Sequence, residues 1–280
     1  MTAFLYKVLC GFFLGVSVFA PGFSGSLIAI IMGIYQDIVR IASNPFKKLK
    51  ENILFCLPLG IGVVISAVLF VLAFQYLFDT YEKATYLLFV GLIAGNLPMI
   101  IKEIKKSGYQ RKHIIGGIGA MAAALALSLA ANMTVRSLES VNTALWVLGG
   151  LAAGVTALIP GMSVSMVLIL IGIYSPALSA ARTLLDMNFE PLVPFGLFCG
   201  CAVIGLVAAS KGIKAIFEKL PGLANTMVLG FMSGSLIGIM YNSYQIEDPG
   251  FNWLIGGAAL AIGLGISMMF VWLGRKMEHD

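Results

Sequence analysis

Six stretches of the chain, residues 53–78, 84–101, 114–135, 191–210, 220–246 and 249–274, run without a single charged side chain. A helix needs roughly 20 apolar residues to cross the ~30 Å hydrocarbon core of a bilayer, and each stretch reaches or approaches that length. With 59% of its 280 residues hydrophobic and 11% charged, the chain also lacks the polar surface that would cover a water-soluble globule. It reads as an all-α integral membrane protein. The four cysteines, Cys10, Cys56, Cys199 and Cys201, fall inside apolar segments with no metal-ligand spacing, and read as packing residues. Lys7 before an apolar run ending in Ser-Val-Phe-Ala has the form of a cleavable leader, but Pro21 directly after that alanine argues against cleavage.

The chain repeats itself. Residues 11–35, GFFLGVSVFAPGFSGSLIAIIMGIY, align with residues 150–174, GLAAGVTALIPGMSVSMVLILIGIY, with 11 of 25 positions identical at an offset of 139. Apolar segments resemble one another by composition, so the weight rests on the shared Pro-Gly-x-Ser-x-Ser. Gly91 to Gly95 answers Gly230 to Gly234 at the same offset, and the Gly-Gly pairs at 116–117 and 256–257 differ by 140. The expectation is a duplication, with halves at residues 1–135 and 136–280 forming one membrane domain.

Each half then holds one Pro-Gly-broken element followed by three plain spans. If the broken element enters and leaves on one side, each half crosses an odd number of times and the second half is inverted. That arrangement, with the N-terminus inside, places 15 Lys and Arg residues on the cytoplasmic side and three (Lys83, Arg136, Arg182) outside, whereas a parallel repeat gives at best 10 against eight. The positive-inside rule selects the inverted-topology repeat with both termini cytoplasmic. Residues 8–20 form a charge-free arm of about 20 Å, too short to span, whereas residues 140–181 are one charge-free run of 42 that leaves two complete crossings open; the repeat favours re-entrant helical hairpins in both.

Proline and glycine stop a helix, and irregular backbone at membrane depth is tolerated where it is buried in protein or lines a polar cavity. The helix that restarts after Pro21-Gly22 or Pro160-Gly161 points free N–H groups and the positive end of its dipole inward, with hydroxyls from Ser24 and Ser26, or Ser163 and Ser165, beside them. Such ends bind anions, and inverted copies bring two together near the midplane. Arg40 and Arg182 follow the two motifs where the second arm of each hairpin reaches the surface, and a guanidinium there suits a phosphate. Gly11, Gly15, Gly60, Gly62, Gly91 and Gly95 read instead as small residues for close helix packing.

PGFSGSLIAIIMGIY and PGMSVSMVLILIGIY resemble the two signature segments of the bacterial polyprenyl-phosphate transporter family, and the resemblance extends over essentially the whole chain. It implies a multi-pass protein of the bacterial cytoplasmic membrane that returns undecaprenyl phosphate, or a related polyprenyl phosphate, from the outer to the cytoplasmic leaflet for cell-envelope synthesis. Family signatures read Pro-Gly-x-Ser-Gly-Gly-Thr and Pro-Gly-x-Ser-Gly-Ser; here Ser26 and Leu27 depart in the first and Val164 in the second.

Two other classes fit parts of the pattern. A carrier of a small water-soluble anion would use the same hairpins around a sealed site, where a lipid carrier needs a lateral opening. An intramembrane serine protease would use Gly22-Phe-Ser24-Gly25, but it requires a histidine at membrane depth, and the two histidines are His113 at the cytoplasmic edge and His279 in the tail. No nucleotide-binding motif occurs and no acid lies inside a predicted span. Neither catalysis, a cofactor or metal, nor a nucleic-acid partner is expected; membrane lipids are the surroundings, and the oligomeric state is not legible.

Overall fold

A computed structural model describes residues 2–19, 25–43, 47–135, 141–159 and 162–277. Those residues form twelve helices and no strand: α1 (Thr2–Phe19), α2 (Gly25–Ile31), α3 (Tyr35–Ser43), α4 (Leu49–Ala94), α5 (Leu97–Lys106), α6 (His113–Val135), α7 (Thr143–Thr156), α8 (Val164–Ile171), α9 (Tyr174–Leu185), α10 (Leu192–Lys219), α11 (Pro221–Gln245) and α12 (Trp253–Met277).

The 46 residues of α4 would reach about 69 Å if straight, more than two hydrocarbon thicknesses. Tyr81 breaks it, leaving the helical region at φ −138°, ψ 48°. The Thr85 hydroxyl lies 3.1 Å from the Leu77 carbonyl and 2.9 Å from that of Tyr81, answering the break with a side-chain donor. Leu220, 139 residues later, has φ −134°, ψ 51° and separates α10 from α11. There Pro221 begins the new helix, where its missing N–H costs nothing. Two chemistries thus make one corner.

Among the described residues, five stretches are long and apolar enough to cross a membrane: Leu49–Lys106, His113–Ala130, Leu192–Lys219, Pro221–Gln245 and Trp253–Leu273. The first, at 58 residues, contains the Tyr81 corner and is long enough for two crossings. All six charge-free runs lie in or on these helices, with one revision: the run at 84–101 is interrupted between Ala94 and Leu97, where the Asn96 side-chain amide donates to the Leu92 carbonyl at 2.9 Å.

The broken elements are α1–α2–α3 and α7–α8–α9. Asn142 caps α7 by accepting from the Ala144 amide at 3.2 Å, and the 14 residues of α7 reach about 21 Å, short of a crossing. Between α8 and α9 the chain bends by 108°. Gly172 makes that bend at φ +81°, with the Ile173 amide donating to the Leu168 carbonyl at 3.0 Å. Gly33 repeats it at φ +65°, with Ile34 donating to Ala29 at 2.9 Å. This is the left-handed glycine stop of a helix, and it gives the repeated Gly-Ile-Tyr its physical meaning.

Glycines bring helix backbones into contact. A Cβ on Gly11 or Gly62 would strike the α1–α4 interface, and one on Gly150, Gly154 or Gly205 the α7–α10 interface. Gly91 meets the Leu260 backbone of α12, and Gly230 meets Gly117 of α6. Gly60 departs from the packing expectation, since nothing lies within 4 Å of its Cβ position. It sits two residues from Gly62, on the opposite side of the same helix.

Candidate functional site

At the middle of these packed helices lies α8, in contact with α1, α6, α7, α9 and α11. Its sequence Val-Ser-Met-Val-Leu-Ile-Leu-Ile is apolar almost all round, as an interior helix must be, and Met166 through Leu170 are buried. Two polar side chains enter this core: Ser163 is 4% exposed and Ser165 1%. Their hydroxyls are 2.8 Å apart.

That pairing follows from the backbone. Residues i and i+2 within a helix do not face each other, but Ser163 precedes the first turn in extended conformation, φ −108°, ψ 135°, which swings its hydroxyl onto Ser165. Ser163 consequently gives α8 no side-chain cap. The first amides of a helix have no intrahelical partner, so the start of α8 presents two hydroxyls beside backbone donors at the positive end of a helix dipole.

Ser165 lines a cavity of about 320 Å³ between α7, α8, α9 and α10. Its walls are otherwise apolar, with Leu168, Ala177, Ala181, Phe195 and Phe198 among them, and Tyr174 at one side. Tyr174 is 7% exposed, its ring 5.7 Å from that of Phe78 and 5.8 Å from that of Phe89. Tyr35, its counterpart in the repeat, is 38% exposed. The two motifs are therefore unlike in environment where they are identical in sequence.

Arg182 follows Ala181, the last cavity-lining residue of α9, and its Nε lies 3.2 Å from Asp186 Oδ2. Arg40 pairs with Asp37 at 2.9 Å on α3. Both pairs are partly solvent-facing and within one helix, a geometry that contributes little to stability and leaves each guanidinium able to take another anion. The structure brings Ser163 and Ser165 together and sets Arg182 on α9, which lines the cavity beside Ser165. Ser26 falls in the first turn of α2; Pro21, Gly22, Ser24, Pro160 and Gly161 lie outside the described residues.

Three further buried polar residues, Thr156, Asn96 and Ser267, stand outside the two motifs. Thr156, 4% exposed, donates to the Ala152 carbonyl at 2.7 Å at the end of α7. Asn96 and Ser267 are hydrogen-bonded at 2.8 Å across α4 and α12. Only a polar letter in an apolar run marks them, a signal that does not say which face carries it. His113 begins α6, with its Nδ1 accepting from the Gln110 amide at 3.3 Å.

Comparison with known proteins places the chain in a family. A family described as undecaprenyl phosphate translocase-like matches residues 14–248. The polyprenyl-phosphate transporter of Staphylococcus aureus (strain NCTC 8325 / PS 47) is 28% identical over 282 residues, covering 96% of this chain and 95% of its own. The polyprenyl-phosphate transporter of Vibrio cholerae serotype O1 (strain ATCC 39315 / El Tor Inaba N16961) is 28% identical over 249 residues, covering 83% of this chain and 76% of its own. No solved structure matches significantly.

Proposed function

We propose a function from one premise: this chain belongs to the undecaprenyl phosphate translocase-like family. Its substrate is a polyprenyl phosphate, carried from the outer to the cytoplasmic leaflet of a bacterial inner membrane. The prenyl tail is at home in lipid; the phosphate is what needs a path, because an isolated charge in hydrocarbon costs many kcal/mol. The observation that carries this reading is the buried Ser163–Ser165 hydroxyl pair at the start of α8, whose Ser165 lines an apolar cavity.

The head group is held by those hydroxyls and the α8 amides after the Pro160-Gly161 break, with Arg182 receiving it at one surface. Pro21, Gly22, Ser24 and Ser26 supply the counterpart through the repeat, and Arg40 serves the opposite surface. The halves 1–135 and 136–280 are inverted copies that rock against each other to expose the site to each leaflet in turn, with both termini cytoplasmic. Support comes from the similar backbone angles at Tyr81 and Leu220, the left-handed glycine stops at both Gly33 and Gly172, and the 15-to-three charge asymmetry. Apolar walls suit a lipid better than a small hydrated anion, which would need polar lining throughout.

Reconstitution tests the reading. Protein in liposomes should speed the loss of labelled undecaprenyl phosphate from one leaflet and leave trapped inorganic phosphate where it is. Movement of inorganic phosphate without the lipid would establish the water-soluble-anion carrier instead.

A further inference from the structure

We propose that α8 is a partition between two seats for the prenyl chain, one at each end of α10; the proposal rests on the polyprenyl phosphate reading above. A second cavity, of about 620 Å³, lies on another face of α8. Val164, Ser165 and Leu168 face the first cavity, and Val167 and Ile171 the second. The long helix α10 lines both, the first with Phe195 and Phe198 and the second with Ile216 and Phe217. Along α10 the first lining runs from Phe195 to Leu206 and the second from Ile213 to Phe217, with about 10 Å of helix between Leu206 and Ile213.

Both are built alike. Among the described residues no charged side chain lines either one, and each contains an aliphatic hydroxyl close to the α7–α8 break, Ser165 in the first and Thr156 in the second. Both open sideways where a lipid would enter: Val203 and Leu206 are exposed in the first, Ile216 and Met227 in the second. A cation stands beside each, Arg182 next to Ala181 and Lys214 next to Ile213. Rim cation, apolar wall and inner hydroxyl match, in order, what a single-chain phosphate amphiphile presents. The phosphate passes from the cation to the hydroxyl while the isoprene units next to it rest on the wall. Free phosphate has no use for such walls.

Photocrosslinking tests this on the full chain. p-Benzoylphenylalanine is placed at Val203, at Ile216 and, as a lipid-facing control, at Leu254, which is 82% exposed. In phosphatidylethanolamine–phosphatidylglycerol nanodiscs, labelled undecaprenyl phosphate should be captured at Val203 and Ile216 several-fold more than at Leu254, and unlabelled undecaprenyl phosphate should compete. Capture no greater than at Leu254, or equal competition by added phospholipid, overturns the proposal. Ala202→Trp, which fills the first cavity, should weaken undecaprenyl phosphate binding at least tenfold and leave dimethylallyl phosphate binding unchanged. Equal loss of both ligands from folded protein also overturns it. If the unaltered protein binds undecaprenyl phosphate no more tightly than inorganic phosphate, the underlying substrate reading is what fails.

Discussion

Replacing Ser163 alone leaves the buried Ser165 hydroxyl without the partner it has at 2.8 Å, and an unsatisfied buried hydroxyl costs about 1–3 kcal/mol. Removing both hydroxyls avoids that penalty. Ser163→Ala and Ser165→Ala should each lower the unfolding midpoint more than the double variant does, while all three lose phosphate affinity by about tenfold to a hundredfold, as expected for hydrogen bonds to a charged group. Thermal unfolding beside lipid binding separates the two effects; unchanged affinity in the folded double variant would remove the pair from the site. Arg182→Ala should cost affinity comparably with little stability change, since its exposed pair with Asp186 contributes under about 1 kcal/mol, and Arg182→Lys should rescue poorly. The serine spacing was legible in the sequence. Their mutual bond was not, because it depends on Ser163 standing outside the helix it precedes.

At the scale of the helix, glycines that look interchangeable in sequence differ by what faces them. Gly62→Ala would drive a Cβ into the backbone of α1, and Gly172→Ala would force a side chain to φ +81°, a strain of about 1–2 kcal/mol. Gly60→Ala meets open space and gains helix propensity. Folded yield by size-exclusion chromatography should therefore fall for the first two and hold or rise for the third. A pattern of small residues identifies helices that approach closely, but Gly60 and Gly62 occupy opposite faces, and the sequence alone does not show which face meets a neighbour. The Tyr81 corner was hidden for a related reason: it is made without proline or glycine, whereas Pro221 announces the matching corner at Leu220.

Across the whole molecule, the proposed topology places residue 110 inside and residue 190 outside. With the four native cysteines replaced, a membrane-impermeant maleimide applied to intact cells should label Glu190→Cys and spare Gln110→Cys; equal labelling would defeat the inverted arrangement. The proposed duplication is readable because the motif matches keep an offset of 139 to 140 along the chain. The partnership of its halves is not, since it is written in contacts between residues far apart: Asn96 with Ser267, Ser128 with Asn242 at 3.2 Å, Asn225 with Ser107 at 3.3 Å, and Lys83 over the rings of Phe251 and Trp253. Together with Gly91 against α12 and Gly230 against α6, these make the later helices of each half pack on the other half rather than on their own. A polypeptide of half this length would carry a complete helix-pairing surface and its complement with nothing to cover either, and two such polypeptides, set in opposite senses across the bilayer, would cover each other. On the proposed inverted topology the chain is thus, in these interfaces, a covalently joined antiparallel dimer.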